Sequence, residues 1–187
     1  MSKKYFSVFE IVFLSLMAAI LFFFRSSIKT PIRLPGHNGI FWVVPIIIGI
    51  GVTKKIGSAT YVGLIAGILL SFVGISDDGP FKFLEYLIMG ITIDLLAVVF
   101  KGYVDKIAVG LVIGSIGNLA KLFINYYVTI LTGVPAAFIL VGVGFASVSH
   151  VIFGGLGGII SAIILKRLKN IELPHKSKVY NEAATTI

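Results

Sequence analysis

The run GIFWVVPIIIGIGVT, residues 39–53, decides how this chain folds. It is apolar and uncharged, yet shorter than the roughly 20 residues that a membrane-spanning helix needs. It also carries Trp42 and Pro45. If this run crosses a bilayer, both chain ends lie on one side. If it does not, they lie on opposite sides. The runs around it settle the matter. Residues 6–24 are apolar apart from Glu10 and end on Phe22-Phe23-Phe24-Arg25 rather than on a small-residue cleavage site, which reads as an uncleaved helix. Residues 56–75 are uncharged, and Ser76-Asp77-Asp78-Gly79-Pro80 is a turn. Residues 81–100 hold Lys82, Glu85 and Asp94, and residues 107–131 hold Lys121. After Thr132-Gly133-Val134-Pro135, a last apolar run covers 136–165, and a polar tail, 166–187, ends the chain.

Counting residues 39–53 as a span places Lys3, Lys4, Lys54, Lys55, Lys101, Lys106, Lys166, Arg167, Lys169, Lys176 and Lys178 on one side. Arg25, Lys29, Arg33 and Lys82 then lie on the other. Basic residues concentrate in cytoplasmic segments, so the richer side is the inside. The sequence therefore predicts an all-α membrane protein, a single membrane domain over 1–187 with six transmembrane helices and both termini cytoplasmic.

Composition agrees. Of 187 residues, 57% are hydrophobic and 13% charged, and mean hydropathy is +1.04. Soluble domains run nearer 45–50% apolar and about 25% charged, so neither a soluble domain nor a disordered chain fits. With no cysteine, disulfides, thiolate metal sites and thiol nucleophiles are excluded. The net charge of +8 comes from cations lying between apolar runs, which points to anionic lipid headgroups and not to nucleic acid. There is no G-x-x-x-x-G-K-[ST] phosphate loop and no G-x-S-x-G elbow, and His37, His150 and His175 are far apart. Glu85 and Asp94 are nine residues apart, about 900° around a helix, so they face opposite sides. No catalytic residue, cofactor or metal is expected.

Ionisable groups at membrane depth are costly and mark function. Gly110, Gly114, Asn118, Lys121 and Asn125 fall within about 80° of one another on a helix, glycine below and amide and ammonium above. This face predicts close packing at one end and a polar cavity at the other. Lys121 could line that cavity or pair with Asp94. Glu85 could contact a ligand or sit at the rim beside Lys82. His150 shares a stripe with Gly154, Gly157, Gly158 and Ser161, which reads as a helix–helix hydrogen bond, and Gly63-xxx-Gly67 and Gly154-xxx-Gly158 read as packing pairs. The longest loop, 25–38, contains two prolines, three cations and His37-Asn38, and reads as functional. Arg33 and His37 could close over a ligand, with Trp42 and Tyr126 as stacking groups. An arginine with a lysine suits a carboxylate or phosphate. Asn38 could equally be a helix N-cap.

With these spans and this loop, the chain resembles a substrate-binding S component of an energy-coupling factor (ECF) transporter. Members of that family carry a small-xxx-small pattern on the first helix, which Ser15-Leu16-Met17-Ala18-Ala19 supplies, with serine in place of the common alanine. The resemblance implies a multi-pass protein of a prokaryotic plasma membrane. Such a protein binds a vitamin-like or small anionic nutrient from outside, in a pocket roofed by the loop between the first two helices. It also implies partners: a coupling transmembrane subunit docking at Ser15, Ala18 and Ala19, and two ATPase subunits. The expected pocket is Arg33, His37, Asn38, Trp42, Glu85, Lys121, Asn125 and Tyr126. The rival is a self-sufficient secondary transporter or small channel using Asp94, Lys121 and His150.

Overall fold

The computed structural model describes residues 6–27, 35–73, 81–133 and 135–184. It contains α1 (Val8–Ser27), α2 (Gly39–Thr53), α3 (Ser58–Val73), α4 (Lys82–Val99), α5 (Ile107–Leu131) and α6 (Ala136–Ala184). No strand occurs among the described residues. The helix of α6 does not stop at Leu165 but continues through the basic segment to Ala184, 49 residues in all.

Local chemistry sets the helix ends. At the start of α1, Ser7 N–H donates to Glu10 Oε2 (2.6 Å) and Glu10 N–H to Ser7 Oγ (3.3 Å), a reciprocal capping box. α2 closes when Lys54 turns left-handed and its N–H donates to the Ile50 carbonyl at 2.8 Å. Asn38 precedes α2 but makes no side-chain cap bond, so its capping role does not hold.

The ambiguous run becomes the centre of the molecule: α2 touches each of the other five helices. A helix that is hydrophobic all round belongs in an interior. Val43, Ile46, Ile47 and Gly49 on α2 are buried, and Pro45 sits within it. Leu14, Ala18 and Leu21 of α1, Val62 and Ala66 of α3, and Tyr86, Met89 and Ile93 of α4 complete the core.

Two glycine seams bring the outer helices together. A Cβ on Gly110, Gly114, Gly154 or Gly158 would run into the backbone across the α5–α6 contact, and one on Gly63, Gly67 or Gly90 would do so between α3 and α4. The packing role of both glycine pairs is thus realised.

The outside of the bundle is apolar: Phe9, Phe72, Phe123, Leu131 and Phe145 are exposed, while Glu85, Asp94, Asn118 and Lys121 are buried. That inversion of the soluble pattern suits a hydrocarbon surround. α1, α5 and the Gly142–Lys169 part of α6 are long and apolar enough to cross a membrane, and α2 and α3 are shorter apolar helices. α4 carries three charged residues, all turned inward.

A candidate ligand-binding cavity

The polar face of α5 meets α4 and α2 at one end of the bundle. Lys121 Nζ lies 2.7 Å from Glu85 Oε2. The other oxygen, Oε1, accepts from Lys82 Nζ and from Asn125 Nδ2, each at 2.9 Å. Glu85 has no exposed surface and Lys121 is 6% exposed. The buried carboxylate thus lies between two ammoniums, which supply the counter-charge that such burial requires, and one amide that bonds Oε1. The Lys121 ammonium also lies 4.5 Å from the centre of the Trp42 ring and 5.1 Å from that of Tyr86, within reach of a cation–π attraction. Trp42 and Tyr86 pack edge to face, 6.0 Å apart. Trp42 Nε1–H donates to Asn118 Oδ1 (2.8 Å) and Asn118 Nδ2 to the His150 carbonyl (2.9 Å). One amide therefore ties α2 to α6 through α5.

Above this cluster lies a cavity of about 310 Å³, lined by the turn before α2, by α5 and by α6. His37, Asn38, Trp42, Lys121, Asn125 and Tyr126 all reach it, so six of the eight expected pocket residues come together. Glu85 does not line it. It lies behind Lys121, in contact with that ammonium and the Asn125 amide. Arg33 lies outside the described residues.

The turn 35–38 is fastened down as a roof. Ser149 Oγ–H donates to the Pro35 carbonyl. Gly36, with φ +75°, lies so close over the His150 ring that a Cβ there would collide with it. His150 Nδ1 is 2.8 Å from the carbonyl of Ala146 on its own helix, so Nδ1 carries a proton that it donates to that oxygen. The expected helix–helix bond thus comes from the His150 backbone oxygen, while its ring lines the cavity.

Asp94 does not meet Lys121. Its carboxylate accepts from the Ala59 N–H (3.2 Å), the Thr60 N–H (2.8 Å) and the Thr60 hydroxyl (2.6 Å). It caps α3 from a neighbouring helix, about 13 Å along α4 from Glu85. The pairing with Lys121 is thereby replaced, and Asp94 is no part of a line with Lys121 and His150. On α1, Ala18 is wholly buried in the core and so unavailable to a partner. Ser15 Oγ lies 3.1 Å from the Tyr61 hydroxyl of α3, and Ala19 is exposed.

No protein-family model matches the chain, and no curated protein matches its sequence. A solved structure does: the crystal structure of an S-component of an ECF transporter, with a TM-score of 0.65 at 19% identity, covering 96% of this chain and 98% of that one. The chain has the S-component fold. The likeness runs nearly end to end on both chains, and the solved protein is a transporter component.

Within that fold two residues that line the cavity, Arg25 and His150, and one beneath it, Tyr86, were not assigned to it from the sequence. Arg25, the last-turn cation of α1, reaches the cavity, although it read as the start of a loop. Tyr86 supports Lys121 from below, and its place one residue after Glu85 was the available signal. His150 was visible as an intramembrane histidine, but its glycine stripe masked its place beneath the roof.

Proposed function

We propose that this chain is the substrate-binding subunit of an ECF-type importer. Six helices cross a prokaryotic plasma membrane with both termini in the cytoplasm, and the cavity under the 35–38 turn faces outside. A small vitamin-like or anionic micronutrient is captured there. Lys121, held by Glu85, and Asn125 meet its acidic or polar group from below. His37 and Asn38 close from above, with Arg33 on the same loop, while Trp42 and Tyr126 flank the flat part of the ligand. A coupling transmembrane subunit docks at the α1 surface around Ser15 and Ala19, and two ATPase subunits supply the energy.

The observation that carries this reading is the roofed cavity of about 310 Å³ with a buried, pre-positioned ammonium at its floor. Its size is at the lower end for small-molecule sites, about 300–1,000 Å³. A charge fixed before the ligand arrives makes recognition rigid and specific. Against the rival as framed, Asp94 is engaged as a cap on α3 and does not join Lys121 and His150.

The test is native mass spectrometry of the protein purified in mild detergent, with a thermal-shift screen of vitamins and small organic acids. A defined small-molecule adduct that is lost in Lys121→Ala supports the reading. An adduct retained by Lys121→Ala removes Lys121 from the pocket. Silence in both assays, with ion-driven flux by the lone protein in liposomes, overturns it in favour of the self-sufficient transporter.

A further inference from the structure

At the end of the bundle opposite the cavity, the α2–α3 and α4–α5 connections meet around two adjoining clefts of about 370 and 310 Å³. Both clefts are lined by Lys54 and Lys101. These are also the only non-glycine described residues with positive φ, 53° and 51°. Glycine is the default in that conformation, and side chains with a Cβ rarely adopt it. The chain places lysine there twice, at the ends of two different helices facing one cleft.

The surrounding charges leave these two ammoniums over. Lys55 pairs with Glu10 at 2.7 Å and Lys169 with Asp105 at 3.3 Å. Among the described residues no carboxylate lies within ion-pair distance of Lys54 or Lys101. Besides the lysines the larger cleft is walled mainly by Ile50, Ile56, Ala97 and Val98, while the smaller has Leu165 and Leu168 together with the paired Asp105 and Lys169. Ile56 and Val98 are themselves exposed, 72% and 50%, so the cleft opens sideways onto the apolar girdle.

We infer that this cleft seats an anionic phospholipid. Its phosphate lies between the Lys54 and Lys101 ammoniums, and its hydrocarbon covers the apolar wall. A free phosphate would satisfy the charges and leave the wall bare, while a zwitterionic lipid would bring its own cation against two others. Basic pockets between helices at a membrane surface recognise headgroups in this way, and lysine stems reach along apolar surface to do so. The inference needs the membrane character of the bundle but not the identity of the outer ligand.

Delipidated protein in detergent is titrated with phosphatidylglycerol or phosphatidylcholine and read by native mass spectrometry, for the native chain and for K54G/K101G. Glycine fits both backbone conformations, so this variant removes the charges while keeping or raising the melting temperature. K54Q/K101Q serves as the second variant should the first fail to fold. The expected result is at least a tenfold preference of the native chain for phosphatidylglycerol, falling to near parity in the variant. Equal retention of both lipids by the native chain overturns the inference, as does a preference that survives in the variant. Displacement of phosphatidylglycerol by millimolar inorganic phosphate also overturns it, and assigns the lysines to free phosphate.

Discussion

Glu85 is the residue on which the cavity floor depends, because it takes Lys82, Lys121 and Asn125 at once. Removing it leaves ammoniums in an apolar interior without their shared counter-charge, whereas Lys121→Met leaves the carboxylate with Lys82 and Asn125. Breaking a buried pair costs about 3–5 kcal/mol. Glu85→Ala should therefore lower unfolding free energy by about that amount, and more than Lys121→Met does, read as melting in detergent. Lys121→Met should instead show its effect mainly in ligand retention. Asn118→Ala deletes the bonds to Trp42 and to the His150 carbonyl, each net worth about 0.5–1.5 kcal/mol. A loss of about 1–3 kcal/mol is expected, and adding Trp42→Phe, which removes the indole N–H left without its acceptor, should recover part of it by the same measurement. The sequence displayed Lys121, Asn118 and Asn125 because helical periodicity orders residues along one face of one helix. It could not pair Lys121 with Glu85 rather than Asp94, because both carboxylates sit on the same neighbouring helix and the choice depends on axial register. That register is seen where α5 meets α4, with Gly117 close against Ile93 and Met89.

At the scale of elements, glycine positions separate into two kinds. A Cβ on Gly114 or Gly158 would intrude on the opposing backbone, so alanine there forces α5 and α6 apart. Overpacking of this sort costs about 1–3 kcal/mol. Gly142 and Gly144 lie on the same α6 with nothing within 4 Å, and alanine there should raise stability by about 0.5–1 kcal/mol. Melting temperatures of these four single variants test the contrast: similar shifts for all four would mean that the seam does not bear on stability. Asp94→Ala uncaps α3 and should cost about 0.5–2 kcal/mol without altering ligand retention. Lost retention would return Asp94 to the site. The Gly63 and Gly154 pairs were legible as seams because small-residue spacing lets two helix backbones approach closely. The central place of α2 was legible only as a short apolar run, since burial by five neighbours leaves no periodic signature to read.

For the whole molecule, the absence of cysteine makes topology directly measurable. Single variants Tyr103→Cys and Thr132→Cys, both at exposed positions flanking α5, should be labelled by a membrane-impermeant maleimide from the inside and the outside respectively. Labelling of both from one side would refute the proposed span count. The lone protein in liposomes should bind ligand without accumulating it until ATPase and coupling subunits are added. Hydropathy made the membrane character legible, but α4 shows its limit: its three charges are matched inside the bundle, and composition alone cannot tell an inward charge from an outward one. Helices in contact through bare backbone cannot slide or roll, because a carbonyl blocks each step. α5 and α6 therefore behave as a single plate, and Lys121, Asn125 and His150 are fixtures on it. Widening the cavity by shear along that plate is forbidden. Under the proposed function, entry and release are therefore expected to need the turn bearing Gly36 to lift off His150 while the floor beneath stays still.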